Sequence, residues 1–432
     1  MVLIHVGIDD TDSKEGMCTT YVGAVVISRL KTDGIELSDY PKLIRLNPNW
    51  KMKTRGNCAV AFAVDIKKHQ IHVLQETVLR TVNELAELKV DTTNPGVVFY
   101  RSDKIPSTLK EFSRKVVQDV VTIEEAESHA KKIGAEVHKF KLGRGIIGSL
   151  AAIGNTLEND WTFELIAYRV LENRGTPRKV QAESVVDLND KTYSDTFDNL
   201  DPSTGEIRIT PHTPCPILYG IRGESPKDIM KAHKIVRSLE PIERVVIFKT
   251  NQGTDEHLRE GKIDEAKPYL SLIVDGVVCK DPTILTGGHV VFRVKDETGE
   301  IDCAAYEPTR QFRNEVRQLI VGDKVRVFGG IKEKPELPLT INLEKLAILE
   351  LAPLLRKENP VCASCGKRMK SEGRGKGYSC KKCKIRVLIS PKMVELPRGI
   401  VIKKFEVPPR ARRHLSRPLV RELRVRSSRR EF

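Results

Sequence analysis

An apolar segment at the start of the chain ends in three carboxylates: Asp9, Asp10 and Asp12. Thr19 and Thr20 follow one glycine-containing turn later. In α/β proteins functional side chains stand at strand ends, because there they point into a crevice instead of the core. Closely spaced carboxylates repel one another unless a cation lies between them, and Mg²⁺, which accompanies phosphates, prefers such oxygen ligands. The stretch predicts a magnesium–phosphate site near Thr19 or Thr20, with a solvated acidic turn as the alternative.

Four cysteines near the C-terminus have the spacing of a zinc ribbon: Cys362, Cys365, Cys380 and Cys383. Two Cys-x-x-Cys pairs separated by fourteen residues can place four thiolates around a tetrahedral Zn²⁺ ion. Because all four ligands come from the protein, we expect a closed, structural site. A redox-active dithiol pair is the alternative. Lysine and arginine residues around the pairs suggest that the ribbon contacts a nucleic-acid backbone.

Residues 143–148 spell GxGxxG, the dinucleotide-binding pattern. The pattern is informative only between a strand and a helix of a βαβ unit, and residues 138–142 make a poor strand. We therefore interpret it as a turn that opens a helix over residues 146–153, with Arg144 and backbone amides facing a pocket. Simple tight packing of the glycines is the alternative.

Several residues beside these motifs are expected to bind a nucleotide. A second turn, after the strand-like residues 215–220, exposes a further arginine, although it could equally be an ordinary surface loop. The expected nucleotide-binding residues are Gly7, Thr11, Thr20, Arg144, Gly145 and Arg222.

Composition limits the class of protein. The chain has 432 residues, a net charge of +15 and a pI near 9.3, which favours a polyanionic partner. No run approaches the roughly 20 apolar residues of a membrane span, and the N-terminus lacks the pattern of a signal peptide. The five cysteines outside the ribbon are far apart, so we expect reduced thiols in a soluble, cytoplasmic protein that does not bind membranes.

The pattern of residues predicts an α+β protein with several domains. Up to residue 241, strand-like and helix-like segments alternate, which favours more than one sheet over one doubly wound sheet. Five strand candidates with one helix between the third and fourth then follow, in the order of an OB-fold barrel. We expect a catalytic region over residues 1–241, an OB-fold over 242–352, a zinc ribbon over 353–396 and a basic tail over 397–432.

The ordered motifs resemble those of one family, the archaeal tRNA-isoleucine agmatidine synthetases. The resemblance rests on GIDDTD with MCTTY, RLNP with KTRGN, GRGIIGSLAAIG, TPCPILYGIRGES, FKTNQGTDEHL, the barrel segment GGHVVFRVKDETGEIDCAAYEPT and the Cys-x-x-Cys pairs. It extends from Val2 to about Arg386, whereas the arginine-rich end after Ile400 resembles nothing specific.

The resemblance implies an ATP-dependent ligase acting on the first anticodon position of the AUA-reading isoleucine tRNA, whose anticodon is CAU. ATP would phosphorylate the C2 oxygen of that cytidine, and agmatine would displace the phosphate. The family's N-terminal modules are kinase-like and ferredoxin-like, and its autophosphorylated threonine corresponds to Thr19. In such an enzyme the catalytic residues would be Asp9, Asp10, Asp12 and Thr19, with ATP and Mg²⁺ bound beside them and Zn²⁺ in the ribbon.

A second interpretation is a non-enzymatic protein that binds single-stranded nucleic acid. It explains the barrel, the ribbon and the positive charge, but it leaves residues 7–20 and 143–148 without a role.

Overall fold

The computed structural model describes residues 1–54 and 56–428. Its first 250 residues form a nine-stranded sheet, in the order β5-β4-β1-β3-β2-β11-β6-β10-β7, and a separate short ribbon, β8-β9. The strands are β1 Val2–Asp9, β2 Lys42–Arg45, β3 Cys58–Ile66, β4 Gly96–Arg101, β5 Glu136–Lys139, β6 Thr162–Arg169, β7 Thr196–Phe197, β8 Leu200–Asp201, β9 Glu206–Ile207, β10 Ile217–Gly223 and β11 Ile242–Thr250.

Seven helices cover this sheet: α1 Thr19–Thr32, α2 Ile71–Leu85, α3 Ser107–Gln118, α4 Ile123–Ile133, α5 Ile146–Gly154, α6 Ala182–Thr192 and α7 Pro226–Ile235. Helices α1 and α2 bury their apolar residues against β1, β3 and β4 in one core. Helices α3, α4 and α5 form a second core on the opposite face, and α6 and α7 pack on β6 and β10. The α+β class is as predicted.

Strands β2 and β11 join the two halves of the sheet. They pair in parallel, whereas every other ladder of the main sheet is antiparallel. We expected more than one sheet here, but apart from the β8-β9 ribbon this pairing merges the strands into one. The expected boundary at residue 242 is also wrong, because β11 lies inside this sheet and not in the barrel.

A closed five-stranded barrel follows. Its strands pair in the order β13-β14-β15-β17-β16, and pairing of β16 with β13 closes it. The elements of this region are β12 Arg259–Glu260, β13 Ser271–Ile284, β14 Val290–Lys295, β15 Glu300–Ala305, α8 Gln311–Val316, β16 Lys324–Lys334 and β17 Leu337–Glu350. The five predicted strands and the single helix between the third and fourth are confirmed.

The last part of the chain forms a small ribbon and then returns to the body of the protein. Its elements are β18 Leu354–Glu358, β19 Lys370–Ser371, β20 Tyr378–Ser379, β21 Arg386–Val387, β22 Lys392–Leu396, β23 Lys404–Glu406 and α9 Leu419–Ser428. Strand β23 pairs with β17 of the barrel. None of the helices in the described part of the chain is long and apolar enough to cross a membrane.

Residues 397–423, the C-terminal segment, are not the basic tail that we expected. Arg412 pairs with Asp198 of the main sheet region and, at 2.7 Å, with Glu406. Arg421 is 2% exposed and donates to Asp160 and Glu224. Both arginines thus form ion pairs with carboxylates of the main sheet region, while strand β23 of the same segment pairs with the barrel. The segment therefore connects the barrel to the sheet. Residues 429–432 lie outside the described part of the chain.

Gly7 allows α5 to lie directly on β1. A Cβ atom on Gly7 would overlap the backbone of Ser149, which belongs to α5. Gly7 therefore serves close packing between a strand and a helix, and its position is buried behind the strand end instead of facing solvent.

We expect Gly7→Ala to lower the free energy of unfolding by about 1–3 kcal/mol, the usual cost of inserting a methyl group into a packed core. Gly299→Ala is the matched control, because its Cβ would meet only Ile263 at 3.5 Å. Urea unfolding of both variants measures the difference. Equal stability of the two would contradict the close contact.

Candidate active site

A cavity of about 1140 Å³ lies where the sheet, the barrel and the C-terminal segment meet. The acidic strand end and α5 form one side, with Asp9 and Arg144 among the lining residues. Lys332 and Asn342 come from the barrel, and Arg412 and Arg413 from the C-terminal segment. The cavity is therefore built from residues more than 400 positions apart in the chain, and no single part of the protein contains it.

Asp10 and Arg144 form an ion pair at one side of the cavity. The Nε and Nη2 atoms of Arg144 each donate to a carboxylate oxygen of Asp10 at 3.0 Å. Asp10 has a left-handed backbone conformation, with φ of 59°, and it is 8% exposed. Burial raises the pKa of Asp10 to about 6, and the ion pair with Arg144 opposes that rise. The pair fixes the start of α5 against the end of β1.

Asp9 and Asp12 supply the other two carboxylates. Burial, and then the nearby charge of Asp10, raise the pKa of Asp9 well above its usual value. The carboxylate of Asp12 accepts a 3.1 Å hydrogen bond from Thr54. Among the described residues, the three aspartates do not converge on one point as a set of metal ligands does. Asp10 is engaged by Arg144, and the buried charge of Asp9 is one that a nearby cation would stabilise.

The predicted threonines lie beside these carboxylates. Thr19 begins α1 and is 2% exposed, and its Oγ1 accepts a 3.1 Å hydrogen bond from Thr11. The N-cap of α1 is Cys18, so Thr19 does not fill the capping role that would be its ordinary explanation. Thr20 Oγ1 lies 3.1 Å from Cys18 Sγ. Both Thr19 and Thr20 line the cavity.

Seven of the predicted residues reach the cavity wall: Asp9, Asp10, Asp12, Thr19, Thr20, Arg144 and Arg222. Gly7, Thr11 and Gly145 lie behind it. Thr11 is fully buried, and a Cβ on Gly145 would overlap the Asp9 carbonyl. The glycines of the GxGxxG stretch thus allow α5 to pack against β1. The strand before this stretch, β5, pairs antiparallel with β4, so the stretch does not lie in a parallel βαβ unit.

The sequence alone did not identify a further buried carboxylate of the cavity, Glu164, which lies on the wall away from the three aspartates. Glu164 is 4% exposed and lies between Arg222, at 3.4 Å, and Arg45, at 3.5 Å. Gln252 also donates to it. The alternation of β6 could have indicated an inward-facing glutamate, but its partners come from distant parts of the chain.

The same wall is strongly basic. Cavity-lining cations include Arg45, Lys53, Arg208, Arg222, Lys332, Arg412 and Arg413. His414 lies among them, and burial, followed by repulsion from Arg45, lowers its pKa well below the usual value. The cavity therefore has an acidic corner and a basic wall, as a site for a metal-bound polyphosphate or for RNA requires. Arg55 of the KTRGN motif lies outside the described residues.

The four cysteines of the ribbon come together as predicted. Their Sγ atoms all lie within 4.8 Å of one another, and those of Cys365 and Cys380 are 3.5 Å apart. A hydrogen bond from the Cys383 amide, at 3.4 Å, lowers the pKa of Cys380 to about 7. This donor set fits Zn²⁺, which binds four thiolates in closed structural sites. All nine cysteines of the chain are free of disulfides.

Family models match successive parts of the chain. The TiaS TCKD domain matches residues 5–142, and the TiaS FLD domain matches residues 143–257. An OB-fold nucleic acid binding domain matches residues 284–349, and the TiaS C-terminal zinc ribbon domain matches residues 359–400. The predicted OB-fold and zinc ribbon are thereby confirmed.

Known proteins resemble the chain along nearly its full length. The isoleucine-tRNA 2-agmatinylcytidine synthetase TiaS from Pyrococcus horikoshii is 48% identical over 421 residues, which is 97% of each chain. A crystal structure of TiaS in complex with its isoleucine tRNA and ATP has a TM-score of 0.89 at 42% identity, with 98% of each chain covered. A complex of TiaS with the same tRNA, AMPCPP and agmatine has a TM-score of 0.86 at 40% identity and the same coverage.

We expect one zinc ion per chain and its loss in a Cys380→Ser/Cys383→Ser double variant, because two thiolates cannot hold a structural zinc tightly. Metal analysis of freshly purified protein measures it. The barrel and sheet should still unfold cooperatively, since their cores are separate from the ribbon's. Undiminished zinc in the double variant would show that other residues hold the metal.

Proposed function

This chain belongs to the family of isoleucine-tRNA 2-agmatinylcytidine synthetases, and we propose that the cavity between the sheet, the barrel and the C-terminal segment is where its reaction takes place. It is an ATP-dependent, tRNA-modifying enzyme that attaches agmatine to a cytidine of isoleucine tRNA. The observation that carries the location is the cavity's charge distribution: carboxylates at the end of β1 and a group of cations line the same cavity.

The reaction has two steps. A phosphoryl group of ATP passes to the C2 oxygen of the cytidine at the first anticodon position, as the resemblance implies, and this turns a poor leaving group into a good one. The primary amine of agmatine then forms a bond to C2, and phosphate leaves with that oxygen. Both steps require the target base to leave its stack and enter the cavity.

Asp9 and Asp12 are proposed to hold Mg²⁺ on the triphosphate. Carboxylate oxygens are suitable ligands for Mg²⁺. Burial makes the negative charge of Asp9 unfavourable, as its raised pKa indicates, and a bound cation would offset that cost. When bound, Mg²⁺ neutralises charge on the transferring phosphoryl group. Asp10, held by Arg144 at 2.8 Å, orients this arginine toward the cavity instead of binding metal directly.

Thr19 is proposed as the hydroxyl that becomes phosphorylated, as the resemblance implies. Its Oγ1 accepts a hydrogen bond from Thr11, which leaves the Thr19 proton free to be given up when the oxygen attacks a phosphorus atom. The Thr20 hydroxyl instead contacts the thiol of Cys18, the residue that caps the start of α1. Arg222, on the basic wall, is proposed to bind the nucleotide.

We further propose a kinase-like first module over residues 1–142 and a ferredoxin-like second module over residues 143–257. The strands of the second module support this, since β11-β6-β10-β7 is the order 4-1-3-2 of the βαββαβ ferredoxin-like arrangement. The barrel would then span residues 258–352 and the ribbon residues 353–396. Barrel and ribbon are proposed to hold the tRNA, the usual role of basic surfaces on such modules.

A non-enzymatic single-strand-binding protein is the alternative, and it is not favoured. Such a protein needs a basic groove but has no use for a buried acidic corner whose carboxylates carry raised pKa values. With tRNA, ATP and agmatine as substrates and nine free cysteines, we propose that the enzyme works in the cytoplasm.

Asp9→Asn and Asp12→Asn should each lower turnover by about 100-fold or more, because each removes a charge that stabilises the transferring phosphoryl group. Asp103→Asn, which changes an exposed carboxylate outside the cavity, is the matched control. Mass spectrometry of nucleosides from tRNA treated with enzyme, ATP and agmatine measures turnover. Normal turnover of both variants at saturating Mg²⁺ and ATP would move the active site elsewhere.

Thr19→Ala should abolish phosphorylation of the protein and most tRNA modification, while losing only about 1 kcal/mol of stability with its hydrogen bond. Thr20→Ala is the matched neighbour and should keep the phosphorylation. Radiolabel transfer from ATP, followed by peptide mapping, measures both. A Thr19→Ala enzyme that modifies tRNA at the normal rate would remove Thr19 from the mechanism.

A further inference from the structure

Trp50 is the single Trp, Tyr or Phe ring among the described residues that line the cavity. It lies in the segment that follows β2, within the RLNPNW stretch, and it is half-buried. An indole that closes a core would be buried among apolar side chains. This one instead stands at the wall of a cavity that many charged side chains line, and nothing described so far gives its partly accessible aromatic face a role.

The ring is held firmly in place. Its edge meets Tyr269 with 5.4 Å between ring centroids and an interplanar angle of 65°. The side-chain amide of Asn49 donates to the carbonyl oxygens of Tyr269, at 3.1 Å, and Leu270, at 3.0 Å. Asn47 donates to the same Tyr269 carbonyl at 3.1 Å. Because the residues just before Trp50 are fastened to the backbone that leads into barrel strand β13, Trp50 is presented in a fixed orientation.

Lys53, Lys332 and Arg413, which we call the basic trio, line the cavity close enough to repel one another. Arg413 also donates a 2.5 Å hydrogen bond to Asn49, the residue before Trp50. Burial, and then repulsion from Arg413 and Lys332, lowers the pKa of Lys53 to about 8. Burial and then Arg413 likewise lower the pKa of Lys332. The carboxylate of Glu344 pairs with Arg413 at 3.4 Å, but it is shared with His257. The trio is thus a place where positive charge exceeds negative charge and an anion would be stabilised.

The segment that carries Trp50 also contacts the acidic corner. Thr54, four residues further on, donates a 3.1 Å hydrogen bond to the carboxylate of Asp12. A ligand that occupied the indole face and the basic trio would therefore lie next to the site of phosphoryl transfer. Aromatic face and adjoining cations are the two elements with which proteins bind one nucleotide of a single strand.

We propose that Trp50 and the basic trio form an RNA nucleotide subsite, in which a nucleobase of the tRNA stacks on the indole and its backbone phosphate lies between the three cations. The inference rests on the proposed function and deepens it, because it assigns the residues that position the extruded strand. Trp50 is a positioning residue here, since it holds the RNA and takes no part in bond making. The adenine of ATP has the same stacking chemistry, and the test below separates the two sources.

The chain contains two tryptophans, which makes the proposal directly observable. Trp161 lies outside the cavity, over Lys249 at 4.5 Å, so Trp161→Phe leaves Trp50 as the only indole. Titrating this variant with a transcript of the CAU-anticodon isoleucine tRNA should quench its tryptophan emission. Mg²⁺ and ATP without tRNA should leave the emission unchanged. Unchanged emission on tRNA binding, or equal quenching by ATP alone, overturns the proposal.

Substitutions of Trp50 test how much the stacking contributes to tRNA binding. Trp50→Leu should raise KM for tRNA by about 10- to 100-fold, which is what stacking of one base is worth, and should leave KM for ATP unchanged. Trp50→Phe should restore most of the tRNA affinity, because a phenyl ring still stacks. A purely structural role would give equal losses in both KM values and no advantage of Phe over Leu, and this result would refute the stacking.

The proposed contact between the basic trio and a backbone phosphate is tested by the salt dependence of tRNA binding. Lys332→Gln should reduce the slope of log affinity for tRNA against log salt by about one. Lys324→Gln is the matched control, because it lies on the same strand β16 but outside the cavity and pairs with Glu350. An unchanged slope in Lys332→Gln overturns the phosphate contact. Agmatidine formation by the Trp161→Phe enzyme, measured on the same samples, reports separately on the proposed function.

Discussion

Direct backbone contact between helix α5 and the strands β1 and β4 is the constraint on which the site depends. Gly7 and Gly96 on the strands, Gly145 just before the helix and Gly148 within it each occupy a place where a Cβ would overlap neighbouring atoms. Four glycines so placed bring the first turn of α5 against the end of β1. Only at that separation can Arg144, which precedes the helix, reach Asp10 with both a 3.0 Å Nε and a 3.0 Å Nη2 hydrogen bond.

The second wall of the cavity depends on buried charge pairs between the barrel, the main sheet region and the C-terminal segment. Lys345 is fully buried and pairs with Asp255 and, at 3.6 Å, with Glu422. His257 meets Glu344 at 2.9 Å. Such pairs add little net stability, because desolvation offsets their attraction, but an unpaired member is very costly. They therefore favour one relative orientation of the parts, the one in which Arg412 reaches Asp198 of the sheet region and Arg413 reaches Glu344 of the barrel.

Local patterns were enough to predict much of this protein, and long-range pairing explains where they were not. The strand and helix around Asp9 and Thr19, the barrel order and the four-cysteine ribbon each depend on residues close in sequence. Strand β11 was assigned to the wrong side of a boundary because its partners, β2 and β6, lie far back in the chain. The C-terminal segment was expected to be a basic tail, since nothing in its own sequence identifies Asp160 or Asp198 as partners of its arginines.

The same distinction applies to the cavity. Its acidic corner could be found from one stretch of sequence, but the basic wall collects residues from the sheet, the barrel and the C-terminal segment. Each side alone carries an electrostatic cost, since burial and like charges raise the pKa of Asp9 and lower those of Lys53 and His414. A metal-bound triphosphate and an RNA strand would each compensate one of these sides. The residues whose charges burial makes unfavourable are thus those that the proposed substrates would stabilise.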